Sequence, residues 1–129
     1  MARILIIEDQ EPLSGLYRSV LRQFNHETMF ASTGEAGLAT AIQESPDLII
    51  LDLLLPNMSG TEVAKKLRES GILPEVPLIV TTALDEIDTQ SMAESLHADA
   101  ILHKPFSISS MVNTVNGVLE VASRKALPA

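Results

Sequence analysis

The chain has 129 residues, with 17 acidic against 9 basic side chains and a formal net charge of −8. That length suits one domain, and a hydrophobic content of 46% supplies a core, which excludes disorder as a description of the whole. The acidic balance argues against direct nucleic-acid binding, because it repels phosphate backbones.

The longest basic cluster is Lys65, Lys66 and Arg68, which reads as a solvated helix face. Aromatic residues make up 3% and tryptophan is absent, so platforms of stacked rings are excluded. Cysteine is absent too. That removes disulfide frameworks, thiolate metal sites and thiol nucleophiles. Ile4–Ile7 is followed at once by acid, too short an apolar stretch for a signal peptide. No run reaches the ~20 residues of a membrane span. The expectation is a soluble, cytoplasmic chain that touches no membrane.

Short apolar runs alternate with segments of helical period. Ile4–Ile7 reads as a strand buried on both faces. Pro12 suits the first turn of a helix, and Leu13, Leu16, Tyr17, Val20, Leu21 and Phe24 then form one stripe. Thr28–Ala31 is a weaker strand. Gly34–Glu44 is a short helix carrying Leu38, Ala39, Ala41 and Ile42, and it stops before Pro46. Leu48–Leu51 is a second fully apolar strand, and Pro56–Gly60 is a loop. Thr61–Ser70 is helical and closed by Gly71. Pro74 and Pro77 flank a loop before the strand Leu78–Thr82. Asp85–Leu96 is a helix with few apolar anchors: Ile87, Met92, Ala93 and Leu96. Ala100–His103 is a short strand ended at Pro105. Ile108, Met111, Val112, Val115, Leu119 and Ala122 stripe the last helix, and Ser123–Ala129 reads as a frayed tail.

A strand followed by a helix, five times over, implies an α/β fold with a parallel sheet and helices on both faces. One domain over residues 1–122 is expected, with residues 123–129 as the tail.

Polar residues close four of these strands. Glu8 and Asp9 follow the first, Asp52 the third, Thr81 and Thr82 end the fourth, and Lys104 follows the fifth. Ligands of doubly wound sheets bind outside the carboxyl ends of strands, where the winding reverses. A strand order of 2-1-3-4-5 would bring Glu8, Asp9 and Asp52 together there. Like charges ~4–6 Å apart disfavour joint ionisation, and a hard divalent cation such as Mg²⁺ is the simplest compensation.

Each piece also has a plain structural use. Asp52, in an otherwise apolar stretch from Leu48 to Leu55, suits a strand-end cap bonding a loop amide. Glu8 and Asp9 suit the positive end of a helix dipole, and threonine is ordinary in strands. The set at one sheet edge is what points to chemistry.

In that order and spacing, Ile6–Asp9, Pro46–Gly60, Pro77–Ala83 and Ala98–Phe106 resemble the response regulator receiver domain of two-component signalling, over residues 2–122. The resemblance implies a flavodoxin-like fold with strand order 2-1-3-4-5. It implies that Asp52 is a nucleophile taking a phosphoryl group from a phosphohistidine on a sensor kinase or a phosphotransfer protein. Asp9, Asp52 and the backbone carbonyl of Leu54 would ligate Mg²⁺, with Glu8 acting through water. Thr82 would offer its hydroxyl to a phosphoryl oxygen. Lys104 would pair with Asp52 before transfer and with the phosphoryl group afterwards, and a cis Lys104–Pro105 bond is permitted. The domain would catalyse its own phosphorylation and dephosphorylation without acting on an outside metabolite. The output surface would be the fourth helix, fifth strand and fifth helix, facing a downstream protein target or an output domain beyond these residues.

Several positions depart from that pattern. Ile101 stands where the family usually has an aromatic switch residue. His97 replaces a common glycine, which predicts a looser turn. His103 should alternate away from Lys104 and be solvated or packed. Leu54 places an apolar side chain beside the path of hydrolytic water, which predicts a long-lived phosphorylated state.

Competing readings fare worse. A receiver-like module that is never phosphorylated would not need Asp9, Asp52, Thr82 and Lys104 together. A flavin domain would need a small, phosphate-holding loop where Glu8–Glu11 stand. A phosphatase of the haloacid dehalogenase type would need a second aspartate two residues on, where Glu11 follows Asp9 and Leu54 follows Asp52.

Overall fold

The aliphatic runs Ile4–Ile7, Leu48–Leu51 and Leu78–Val80 form the inner strands, as expected for a sheet covered on both sides. The computed structural model describes residues 2–56, 58–73, 75–83 and 89–126. The elements are β1 (Arg3–Ile7), α1 (Glu11–Gln23), β2 (Glu27–Ala31), α2 (Gly34–Glu44), β3 (Leu48–Asp52), α3 (Gly60–Glu69), β4 (Leu78–Thr82), α4 (Thr89–Leu96), β5 (Ala100–His103) and α5 (Ile108–Ala126). The sheet runs β2-β1-β3-β4-β5, and every neighbouring pair is parallel. The doubly wound flavodoxin-like α/β fold is therefore present, with its winding reversal between β1 and β3.

Strand alternation sorts the core into two layers. Leu5, Ile7, Ile49, Leu51, Leu78 and Val80 pack under α2, α3 and α4. Ile4, Ile6, Leu48, Ile50, Ile79 and Leu102 pack under α1 and α5, against Tyr17, Leu21, Met111 and Val115. The helices start on local signals. Thr33 Oγ1 accepts from Ala36 N–H at 3.1 Å. Ser59 Oγ accepts from Glu62 N–H at 3.2 Å, with Glu62 in the third helical position. Pro12 sits in the first turn of α1.

Some boundaries differ from the sequence reading. α5 continues to Ala126, so the helix enters the stretch expected to fray at Ser123. Its exposed polar face, with the Glu120–Arg124 ion pair one turn apart, extends it. The described part of the fourth helix begins at Thr89, and Asp85–Asp88 lie outside the described residues. The stripe spacing predicts that Phe24 and Ile108 face the core, and both are exposed. Phe24 follows the last residue of α1 and Ile108 opens α5, where neither is held on its stripe; both line a groove between the two helices. Ile42 is exposed as well, on the outer side of α2.

His97 corrects another expectation. The turn after α4 is not loosened; His97 itself takes the left-handed conformation at φ 58°. A non-glycine residue there carries a steric cost, and the turn geometry imposes it regardless.

Candidate functional site

The same alternation that builds the α1/α5 layer places its polar end. One step beyond Ile6, Ile50, Ile79 and Leu102 come Glu8, Asp52, Thr81 and Lys104, all on that side of the sheet and at its carboxyl edge. Thr82 falls on the opposite side, continuing the run Leu78 and Val80.

Glu8 is 3% exposed and Asp52 4% exposed. Lys104 Nζ donates to Glu8 Oε1 at 2.7 Å and to Asp52 Oδ2 at 3.1 Å. The remaining carboxylate oxygens meet backbone donors. Leu54 N–H donates to Asp52 Oδ1 at 3.1 Å, and Gln10 N–H donates to Glu8 Oε2 at 3.1 Å. Asp9 is exposed, yet Glu8, Asp9 and Asp52 each offer an oxygen within 4.8 Å of the others. Thr82 is buried beside this edge, and its carbonyl accepts from Lys104 N–H at 2.7 Å, tying β4 to β5 where the lysine departs. The Lys104–Pro105 bond is cis.

The electrostatics follow from burial. Desolvation raises the Glu8 carboxyl above its ordinary 4.5, helped by the Asp52 charge and opposed by its bonds to Lys104 and Gln10. Burial alone would lower the Lys104 ammonium; its bonds to Glu8 and Asp52 outweigh that and raise it above 10.5.

The sequence reading thus has its residues at one edge, with one change of partner. Lys104 was expected on Asp52, and it also holds Glu8 directly, at the shorter distance. Two-residue alternation from Ile6 puts Glu8 on that side of the sheet and leaves open which carboxylate the lysine holds closer. Leu54 turns its backbone amide to Asp52 and its side chain to solvent. His103 is exposed, as alternation requires. Ile101 is half-buried against the α2–α4 layer. Tyr17 is buried in the α1/α5 layer, with the Phe106 ring 6.0 Å away between centroids.

The donor set suits a hard cation. Three carboxylates face one ammonium, a formal excess of two negative charges (3 − 1). All the acidic ligands are oxygens, the set that Mg²⁺ takes.

The doubly wound sheet thus carries at its switch point a buried aspartate held by a lysine. The sequence profile of the response regulator receiver domain matches residues 4–116. The master transcriptional regulator RpaA of Synechocystis sp. is 36% identical over 96% of this chain and 52% of its own length. PilH of Pseudomonas aeruginosa is 29% identical over 92% of this chain and 98% of its own. The crystal structure of a CheY-like receiver domain from Methanospirillum hungatei superposes with a TM-score of 0.89 at 25% identity, covering 98% of this chain and 99% of that one.

The chain belongs to the response regulator receiver domain family. Such domains are the phosphoacceptors of two-component signalling. This chain spans about half the length of the first curated relatives that it matches. Among the described residues, no helix is long and apolar enough to cross a membrane.

Proposed function

We propose that Asp52 accepts a phosphoryl group from a phosphohistidine on a sensor kinase or phosphotransfer protein, in a Mg²⁺-dependent reaction. The observation that carries this is Asp52 itself: a buried carboxylate pinned between Lys104 Nζ and the Leu54 amide, at the mouth of a cluster of acids. An Asp52 oxygen attacks phosphorus, the P–N bond breaks, and its electron pair leaves on the imidazole nitrogen, which takes a proton. Lys104 moves from Glu8 and Asp52 toward the new phosphoryl oxygens, and the Thr82 hydroxyl donates to another. Phosphoryl transfer asks mainly for in-line placement and neutralised oxygens.

Asp9, Asp52 and the Leu54 carbonyl would hold Mg²⁺, with Glu8 acting through water. The ion, when bound, supplies charge neutralisation at the transferring oxygens. Reset is attack by water on phosphorus, which returns the Asp52 carboxylate and inorganic phosphate. The exposed Leu54 side chain flanks that approach and slows it; a phosphoryl half-life unchanged or lengthened in Leu54→Asn would count against this role.

The signal passes to the α4–β5–α5 face. The short Lys104–Thr82 backbone bond supports this route, since it joins β5 to the threonine that the phosphoryl group would draw. Ile101, without a ring, relays by packing alone. A cytoplasmic location and a separate downstream target or output domain belong to the same reading, as does a receiver unit spanning residues 1–122.

Acetyl phosphate with Mg²⁺ tests the proposal on a phosphate-affinity gel. The parent chain shifts, and Asp52→Asn does not. Mg²⁺ at ~100 times its dissociation constant stabilises the fold by ~2.7 kcal/mol. No shift of the parent band, with the fold intact, refutes the assignment.

A further inference from the structure

The sheet has two free edges, and β2 forms one of them, with β1 as its single neighbour. Glu27 N–H donates to the Ala2 carbonyl, and the Ala31 carbonyl accepts from Glu8 N–H, so these two residues turn backbone groups toward β1. Thr28 and Phe30 alternate with that set and turn theirs outward. Such a row is a template for another strand. Exposure agrees: β3 and β4 are buried throughout, whereas Thr28, Met29 and Phe30 are half-buried.

Positive charge lies over the same edge. Arg18 and Arg22 stand about one turn apart on the exposed side of α1. The Arg18 guanidinium lies over the Phe30 ring, 4.8 Å from its centroid, a contact that leaves N–H groups free to donate. Among the described residues neither arginine joins an ion pair, although acids outnumber bases 17 to 9 in the chain. A groove of about 350 Å³ joins Arg18 and Arg22 to His26, Glu27 and Thr28. His26 only walls it, since Ala2 N–H and Asn116 Oδ1 occupy its two ring nitrogens. The Glu27 carboxylate is 3.8 Å from Arg3 Nε and is drawn there rather than to α1.

The two features call for one ligand. A strand added beside β2 presents every second side chain on the α1 side, about 6.6 Å apart. Arg18 and Arg22, four residues apart on a helix, are about 6 Å apart along its axis. We propose that the free edge of β2 binds an extended acidic segment of a partner protein as a sixth strand, whose carboxylates at residues i and i+2 pair with Arg18 and Arg22. The Thr28 and Phe30 backbone groups supply the ladder, and the arginines select acid and fix the register. The side chain between the two acids lies on the face of half-buried Met29 and is apolar. The net charge of −8 repels such a segment from the rest of the surface, so attraction is confined to this patch. The Asp52 assignment plays no part in this inference.

The test titrates the whole chain with the capped peptide Val-Glu-Val-Glu-Val at low salt, read by amide NMR and hydrogen exchange. The Thr28 and Phe30 amides become donors to the peptide, and their exchange slows. Arg22→Glu weakens binding about tenfold, and the milder Arg22→Gln, which keeps the fold free of added repulsion, weakens it about threefold. Moving the acids to i and i+3, as in Val-Glu-Val-Val-Glu, weakens binding to a similar degree, because one carboxylate then faces the α2 side. Only one set of peptide nitrogens faces β2. Of two peptides N-methylated on the glutamates or on the valines, one therefore fails and the other still binds. Absence of binding, unchanged exchange at Thr28 and Phe30, or equal binding of the two methylated peptides overturns the inference. So does displacement of the peptide by inorganic phosphate beyond a chloride control of equal ionic strength, which would make the groove a small-anion site instead.

Discussion

The two faces of the sheet use the same strands for opposite purposes. The α1/α5 face ends in charge: Glu8, Asp52 and Lys104, bonded in one chain. The α2–α4 face and the loop into α3 end in close contact. A Cβ on Gly37 would stand 2.5 Å from Ile7 Cδ1, one on Gly34 would stand 2.6 Å from Val63 Cγ2, and one on Gly60 would stand 2.5 Å from Leu53 Cα. By contrast, Cβ atoms on Gly15 in α1 and Gly117 in α5 would meet nothing within 4 Å. One face fixes the backbone that carries Asp52, and the other balances the charges that Asp52 brings together. Placement and neutralisation, the two demands of phosphoryl transfer, are divided between alternate residues of one strand.

The largest break in this division is Lys104→Met. It leaves Glu8 and Asp52 buried together with no cation, and the loss is about 3–5 kcal/mol in urea unfolding. Adding Asp52→Asn recovers part of it, since the two sites share one network. The pH dependence has a definite sign. Glu8 and Lys104 both hold protons more tightly folded than unfolded, so each makes stability fall as pH rises. The Lys104 contribution is full below 10.5 and is lost as pH climbs through its higher folded value. The Glu8 contribution grows on acidification from its raised folded value toward 4.5. Glu8→Gln removes that acid-side slope; an unchanged slope of the urea midpoint with pH would assign it to other carboxylates.

Gly60→Ala breaks the other face. The new Cβ meets backbone, Leu53 Cα at 2.5 Å and the Asp52 carbonyl oxygen at 2.7 Å, so a flexible side chain cannot absorb it. Overpacking of this kind costs about 1–3 kcal/mol. The displaced backbone is that of Asp52, so labelling by acetyl phosphate falls by more than stability alone explains. A variant equally unstable through Gly37→Ala, which presses on the Ile7 side chain, gives the comparison.

This asymmetry marks what could be read from sequence. The apolar runs before Glu8 and Asp52 and the alternation of elements were sufficient for a parallel α/β sheet; the strand order, and with it the edge at which the polar residues meet, came with the family resemblance. Residue spacing also put Lys104 there. It did not reveal that Lys104 would bind Glu8 at shorter range than Asp52, because a choice between two carboxylates depends on how far the side chain reaches from β5 over β4 to the ends of β3 and β1. Nor did it reveal the left-handed His97, which the turn after α4 imposes, or the buried Tyr17 hydroxyl. A tyrosine on a helical stripe looks the same whether its oxygen reaches water, a partner or neither. The helix ends near Phe24 and Ala126, and the burial of Phe24 and Ile108, differ from the reading for another reason: periodicity marks a stripe but not where neighbouring elements stop covering it.

The smallest effect sharpens the contrast by raising stability. Gly15 is exposed in α1, and a methyl group there touches nothing. Glycine costs a helix interior backbone entropy that alanine does not. Gly15→Ala therefore stabilises by about 0.4–1 kcal/mol through the unfolded state. The same substitution at Gly37 is just as helical, and it must displace the buried Ile7 side chain at 2.5 Å. Opposite signs in urea unfolding for one chemical change, made in helices on opposite sides of one strand, would measure how much tighter the α2–α4 side is packed. Equal signs would mean that Ile7 yields freely, and that the closeness of the glycines does not hold the sheet in place.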